Sequence, residues 1–280
     1  MKKILFTLLA GSFLASAAMA QVTGLKPTLP GGNIPAQPFL FSVNTLTGNS
    51  AYWAVNASSN YAQRSAGAFG YDGADQQIAV KGYLGNRFTL YANADLGFAN
   101  NGGVASAQQA EIIRDFVGGK QAYGLRFGVG LGANRDFLSV GALFSRITAS
   151  FESPRWRMGG NLRLEKAFAG NRDGIDLVTS FGFQHRLAGP VFAGFEIMGQ
   201  DLEGFWEADE AEGGAKLLIG PSINVAPQNS RFSFSVSGGP VFYATHSTAA
   251  LSGAIRDIGN VAAQNGYTLR AMVSFNLRRY

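Results

Sequence analysis

The chain offers few groups for catalysis: two histidines, His185 and His246, and no cysteine. Without cysteine, disulfides, thiolate metal sites and cysteine nucleophiles are excluded. Ser180 and His185 are five residues apart. In an extended strand an odd separation puts two side chains on opposite faces, so they diverge. No G-x-S-x-G elbow occurs. The run Gly128-Val129-Gly130-Leu131-Gly132-Ala133 looks like a nucleotide loop, but no helix follows it. Asn56-Ala57-Ser58 matches a glycosylation acceptor. A denser group is Asp201, Glu203, Glu207, Asp209, Glu210 and Glu212 around Phe205 and Trp206. Carboxylates at this density are ligands for Ca²⁺ or Mg²⁺. The spacing is not that of an EF-hand, and a solvated acidic loop explains the same run. The sequence therefore assigns no catalytic residue, no cofactor and no metal site, and no enzymatic activity is expected.

The other chemistry lies in how charge is distributed. Lys81, Tyr91, Asp95, Arg126, Arg155, Arg157, Arg163, Glu165, Asp176, Glu196, Lys216 and Arg270 share one phase of a period-2 pattern. The opposite phase is apolar or small. The last stretch shows it best: Tyr267, Leu269, Ala271, Val273, Phe275 and Leu277 alternate with Thr268, Arg270, Met272, Ser274, Asn276 and Arg278. This is the pattern of a strand with two different faces. It exceeds the usual strand length of about 5–6 residues. It reaches the roughly 9–11 residues that cross a hydrocarbon layer at a tilt. So long a strand with open edges would aggregate unless both edges were paired.

Similar alternation predicts strands at 51–58, 77–84, 88–98, 123–131, 137–147, 155–165, 175–185, 191–200, 215–224 and 231–242. Residues 108–117 read as helix or as strand; an even count, as such barrels usually have, favours strand. The expectation is an all-β fold, an antiparallel transmembrane β-barrel of about twelve strands. Short turns would alternate with longer loops at 59–76, 201–214 and 244–266. The termini would then be periplasmic.

Composition agrees. Glycine is 37 of 280 residues, aromatics 12% and charged residues only 15%, and no apolar run after residue 20 is long enough for a membrane helix. Met1-Lys2-Lys3, the apolar run 4–18 and the ending Ala18-Met19-Ala20 form an export signal, cut after Ala20. Removing it lowers the formal charge from +5 by the two lysines, and no basic patch for nucleic acid remains. The organisation expected is signal peptide 1–20, a Pro- and Gly-rich periplasmic lead-in 21–49, and barrel 50–280. Within the lead-in, 39–46 is an apolar stretch, either a short strand or a segment entering the lumen.

With these features the chain resembles the Gram-negative outer-membrane β-barrel proteins over residues 21–280. Such proteins commonly end in an aromatic residue in phase with the outward face. Here Leu277 is outward and Tyr280 is out of phase. The stretches 160–166 and 203–221 are similar to those of a porin-like barrel family without a known activity. The resemblance implies outer-membrane lipid, lipopolysaccharide and the barrel-assembly machinery as partners. Divalent ions bridging the acidic loop to lipopolysaccharide phosphates are one use for it.

A lipid-facing arginine costs about 2–4 kcal/mol at mid-bilayer, so the charged phase belongs inside. Two functions remain open. Inward charges that pair off would brace a non-conducting barrel for structure or surface interaction. A wet lumen would pass small hydrophilic solutes, with Arg155, Arg157 and Arg163 favouring anions. Seven of these inward groups are basic and four acidic, an imbalance that favours the wet lumen.

Overall fold

The computed structural model describes residues 37–46, 52–65, 67–99, 102–118, 123–168, 175–202, 215–227, 230–243 and 264–278. They form twelve strands: β1 (Tyr52–Gln63), β2 (Gly73–Gly85), β3 (Phe88–Ala99), β4 (Val104–Val117), β5 (Gly124–Arg135), β6 (Gly141–Glu152), β7 (Trp156–Ala167), β8 (Asp176–Ala188), β9 (Val191–Gln200), β10 (Lys216–Val225), β11 (Phe232–Tyr243) and β12 (Gly266–Arg278). Each pairs antiparallel with its sequence neighbours. β1 and β12 pair from Tyr52↔Arg278 to Gln63↔Tyr267, which closes the cylinder. The fold expected from the alternation is therefore the one observed.

The two faces differ as the phase requires. Leu131 is 70% exposed and Ile78 63% on the outside, whereas Lys81 is 0% exposed inside. The outer belt is Leu, Ile, Val and Phe, the surface that hydrocarbon solvates. Aromatic clusters border it near the strand ends. Trp156 packs on Phe183 and His185, Phe232 on Phe275, and Tyr61 on Tyr267.

One end of the barrel carries tight turns. Between β2 and β3 the turn residues Asn86 and Arg87 both have positive φ, 47° and 66°, as a two-residue hairpin turn demands. We call this the turn side and the other end the loop side.

Several strand limits differ from expectation. β1 and β2 run on toward the loop side, pairing Ser59↔Gln76, Asn60↔Asp75 and Tyr61↔Ala74, so much of the expected loop 59–76 is sheet. Small polar residues dominate there, and hydropathy alternation is faint. Residues 108–117 are strand, within β4. β6 starts four residues later than expected, because Asp136 Oδ1 accepts the N–H groups of Leu138 and Val140, both at 2.9 Å, and folds 136–140 into a turn. Residues 203–214 and 244–263 lie outside the described residues.

Candidate functional site

The lumen is the candidate site, and it has two unlike halves. Toward the turn side, inward side chains and residues 37–46 together crowd it. Lys81, Gln184, Asn224 and Glu152 are at most 1% exposed. Glu152 stands between two guanidiniums, 3.7 Å from Arg126 and 3.5 Å from Arg157. Arg157 donates to Asn224 Oδ1 at 2.6 Å and lies over the Phe192 ring at 3.5 Å. Charges this deep persist only when paired and hydrogen-bonded.

The middle of the lumen holds residues 37–46, which form no strand and run through the barrel. Wall side chains satisfy their backbone groups. Glu196 Oε2 accepts the N–H groups of Leu40 and Phe41 at 2.9 and 2.8 Å. Asn161 accepts from Val43 N at 2.6 Å and donates to Val43 O at 2.8 Å. Arg126 donates to Thr45 O at 2.7 Å, Arg270 to Leu40 O at 3.0 Å and Gln184 to Pro38 O at 3.3 Å. Leu46 N donates to Thr89 Oγ1 at 2.9 Å. Lys81 Nζ donates to Gln37 Oε1 at 2.8 Å and Asn44 Oδ1 at 2.7 Å. Ser42 donates to Ser180 at 2.9 Å, and Thr45 to Asp115 at 2.9 Å.

Apolar contacts seat the same segment. The Phe39 ring rests on Gly159 and Gly182, where added Cβ atoms would come within 3.1 and 2.3 Å of it. Leu40 and Phe41 cluster with inward Met198, Leu218, Val241 and Met272, and with Phe69 from the 3₁₀ turn Gly67–Phe69 between β1 and β2.

Toward the loop side, the lumen opens into a vestibule of about 760 Å³. Leu40, Phe41, Ser42 and Val43 border it, together with Asn93, Asp95, Arg163, Asp176, Lys216 and Arg270 from the wall. Arg163 pairs with Glu165, donates to Gln109 at 3.0 Å and lies 3.9 Å over the Phe144 ring. Arg146 pairs with Glu111 at 2.8 Å. Among the described residues, Arg270 and Lys216 make no ion pair within 4 Å. Asn93 Oδ1, Asn134 Oδ1 and Arg163 Nε carry no protein hydrogen bond among the described residues.

The residues expected inside divide as follows. Lys81, Arg126, Arg157 and Glu196 are buried around the inner segment and beneath it. Tyr91, Asp95, Arg163, Glu165, Asp176, Lys216 and Arg270 line the vestibule. Arg155 sits exposed in the turn before β7, so it does not join Arg157 and Arg163 in a row: the strand starts one residue later, at Trp156. Asp75, Glu111, Asp115, Glu152 and Arg146 also face inward and were missed from the sequence. Arg186, 4.9 Å over the Phe192 ring, faces inward as well; four added carboxylates against two added cations, with Arg155 outside, remove the expected positive excess. Ser180 faces inward, whereas His185 stacks on Trp156 at 4.6 Å, so the two do not meet. Of the acidic loop only Asp201 is described; it accepts from Leu177 N at 3.1 Å. Glu203, Glu207, Asp209, Glu210 and Glu212 lie outside the described residues. Among the described residues, no acidic or histidine cluster is arranged to hold a metal ion.

No protein-family model and no curated protein matches the chain. Solved structures do. The NanC porin superposes with a TM-score of 0.54 at 8% identity, covering 80% of this chain and 100% of that one. The KdgM porin superposes with a TM-score of 0.50 at 9% identity, covering 80% and 99%. At this identity the likeness concerns fold: the chain has the architecture of a porin-like outer-membrane barrel.

Proposed function

We propose that the chain is an outer-membrane channel for small hydrophilic solutes, anions among them. The observation that carries this reading is the vestibule, a chamber lined in large part by charged and amide side chains inside a cylinder whose outside is apolar. Asn93, Asn134 and Arg163 line it beside Arg270, Lys216 and Asp95, polar side chains of the kind that water or a solute binds. Arg270 and Lys216 draw anions in; Asp95 and Asp176 on the same wall oppose them. The balance of these four with the other carboxylates of the chamber, Asp72, Asp75 and Asp201 among them, sets the sign of selectivity.

A second reading, a non-conducting surface barrel, is favoured by one observation: residues 37–46 and the packed turn-side half occupy the lumen. Planar-bilayer recording of the purified barrel separates the two. Solute-permeable conductance supports the channel. A barrel that inserts yet stays silent, with residues 37–46 present or replaced, supports the surface reading.

A further inference from the structure

We propose that the lumen wall carries a binding site for a stretch of peptide backbone, that residues 37–46 are its tethered occupant, and that their release opens the barrel. This rests on the channel reading above.

The site is built for a peptide. Gly159 and Gly182 are cross-strand partners on β7 and β8, and together they leave a notch the width of the Phe39 ring. Beside it, one Glu196 oxygen takes two successive backbone N–H groups, and Asn161 reads both N–H and C=O of Val43. Met198, Leu218, Val241 and Met272 form a contiguous apolar patch on the wall, and Leu40 and Phe41 cover it. An open aqueous lumen would gain nothing from that patch or that notch. Both have a use once Phe39, Leu40 and Phe41 dock there.

The occupant is separable from the wall. All twelve strands find their ladder partners in one another, and β1 closes on β12. The segment adds no strand, and the described bonds that hold it to the wall each use at least one side chain. The wall groups it engages, among them Lys81, Arg126, Asn161, Glu196 and Arg270, are charged or amide groups that water can satisfy when it leaves. An apolar anchor over exchangeable polar bonds gives a barrel that is closed when docked and intact when released.

The absence of cysteine permits a direct test. Ser42 and Ser180 have their hydroxyls 2.9 Å apart. The full-length S42C/S180C double variant is purified, checked for heat-modifiable mobility and recorded in planar bilayers. Oxidation should abolish conductance, and reduction should restore it. A second variant, with residues 37–46 replaced by a Gly-Ser stretch of equal length, should conduct persistently. Equal conductance before and after oxidation, with the cross-link confirmed by mass, overturns the gate and leaves the channel reading standing. Failure of the two cysteines to cross-link overturns the docked arrangement. Silence of both variants, and of the native chain, overturns the channel reading and the gate with it.

Discussion

Gly159 and Gly182 face each other across β7 and β8, and the Phe39 ring fills the space that two Cβ atoms would take. Widening one of them evicts the ring. Gly182→Val leaves the strand ladder intact, since valine suits a strand. The expected outcome is more frequent channel opening with unchanged heat-modifiable mobility. Phe39→Ala should have the same effect by removing the anchor. Unaltered open probability in both would show that this contact does not hold the lumen shut.

The turn-side cluster should behave differently. Among the described residues Glu152 forms an ion pair with both Arg126 and Arg157 there, at 3.7 and 3.5 Å. Glu152→Gln removes the carboxylate the two cations share, and breaking a buried pair costs about 3–5 kcal/mol. The unfolded band on heated gels should emerge at a clearly lower temperature. A variant as heat-resistant as the native chain would mean the cations find other partners.

Selectivity tests the vestibule. Arg270→Gln removes a cation with no ion pair among the described residues, and the reversal potential in a salt gradient should shift toward cations. Asp95→Asn should shift it the other way. Both shifts should shrink at high salt, where the screening length is about 3 Å at 1 M. Equal reversal potentials in all three proteins would place the selectivity elsewhere.

The outer face gives a contrast between neighbours. Arg146 is buried inside the lumen, while Ile147, next in sequence, is 37% exposed on the outside. Ile147→Arg puts charge in lipid near mid-strand, at a cost of about 2–4 kcal/mol. It should yield far less folded barrel in the membrane fraction than Asp95→Asn. Comparable yields would reject the assignment of faces.

Orientation can be read on whole cells. A tag at Gly189, in the tight turn between β8 and β9, should stay hidden from surface labelling. A tag at Trp206, in the connection after β9, should label. The reverse result would turn the barrel over in the membrane.

Alternation made the cylinder legible, because a strand exposed to lipid on one face must repeat every second residue for its whole length. It failed where that repeat fades. The mixed run 59–63, with Ser59, Asn60 and Gln63 around Tyr61 and Ala62, hid the end of β1. The mixed stretch 108–117 concealed Glu111 and Asp115, since a segment read as helix or strand has no assigned face. The strand expected at 137–147 runs on to Glu152, so Glu152 read as a turn residue, while Arg146 lay in the inward phase of the expected strand. The inner segment showed as the apolar stretch 39–46, with entry into the lumen as one of its two readings, but its seat did not show, because its partners lie 118 to 230 residues away for Val43 and Leu40. A further signal was available: Met272 stands among Thr268, Arg270, Ser274 and Asn276 on the inward phase of β12, where an apolar side chain needs something to cover it.

The seam between β1 and β12 sets an order of events in assembly. Asn60 and Thr268 bond across 208 residues of chain, so the cylinder cannot shut before its last strand has been made. Arg270, on that last strand, also grips Leu40, which comes before the first. The segment can dock and leave, but one side of its seat, Arg270, does not exist until the last strand is in place. Chains halted short of Gly266 would keep both edges bare and the segment unclasped on one side. Final closure would then complete the wall and the clasp on Leu40 together.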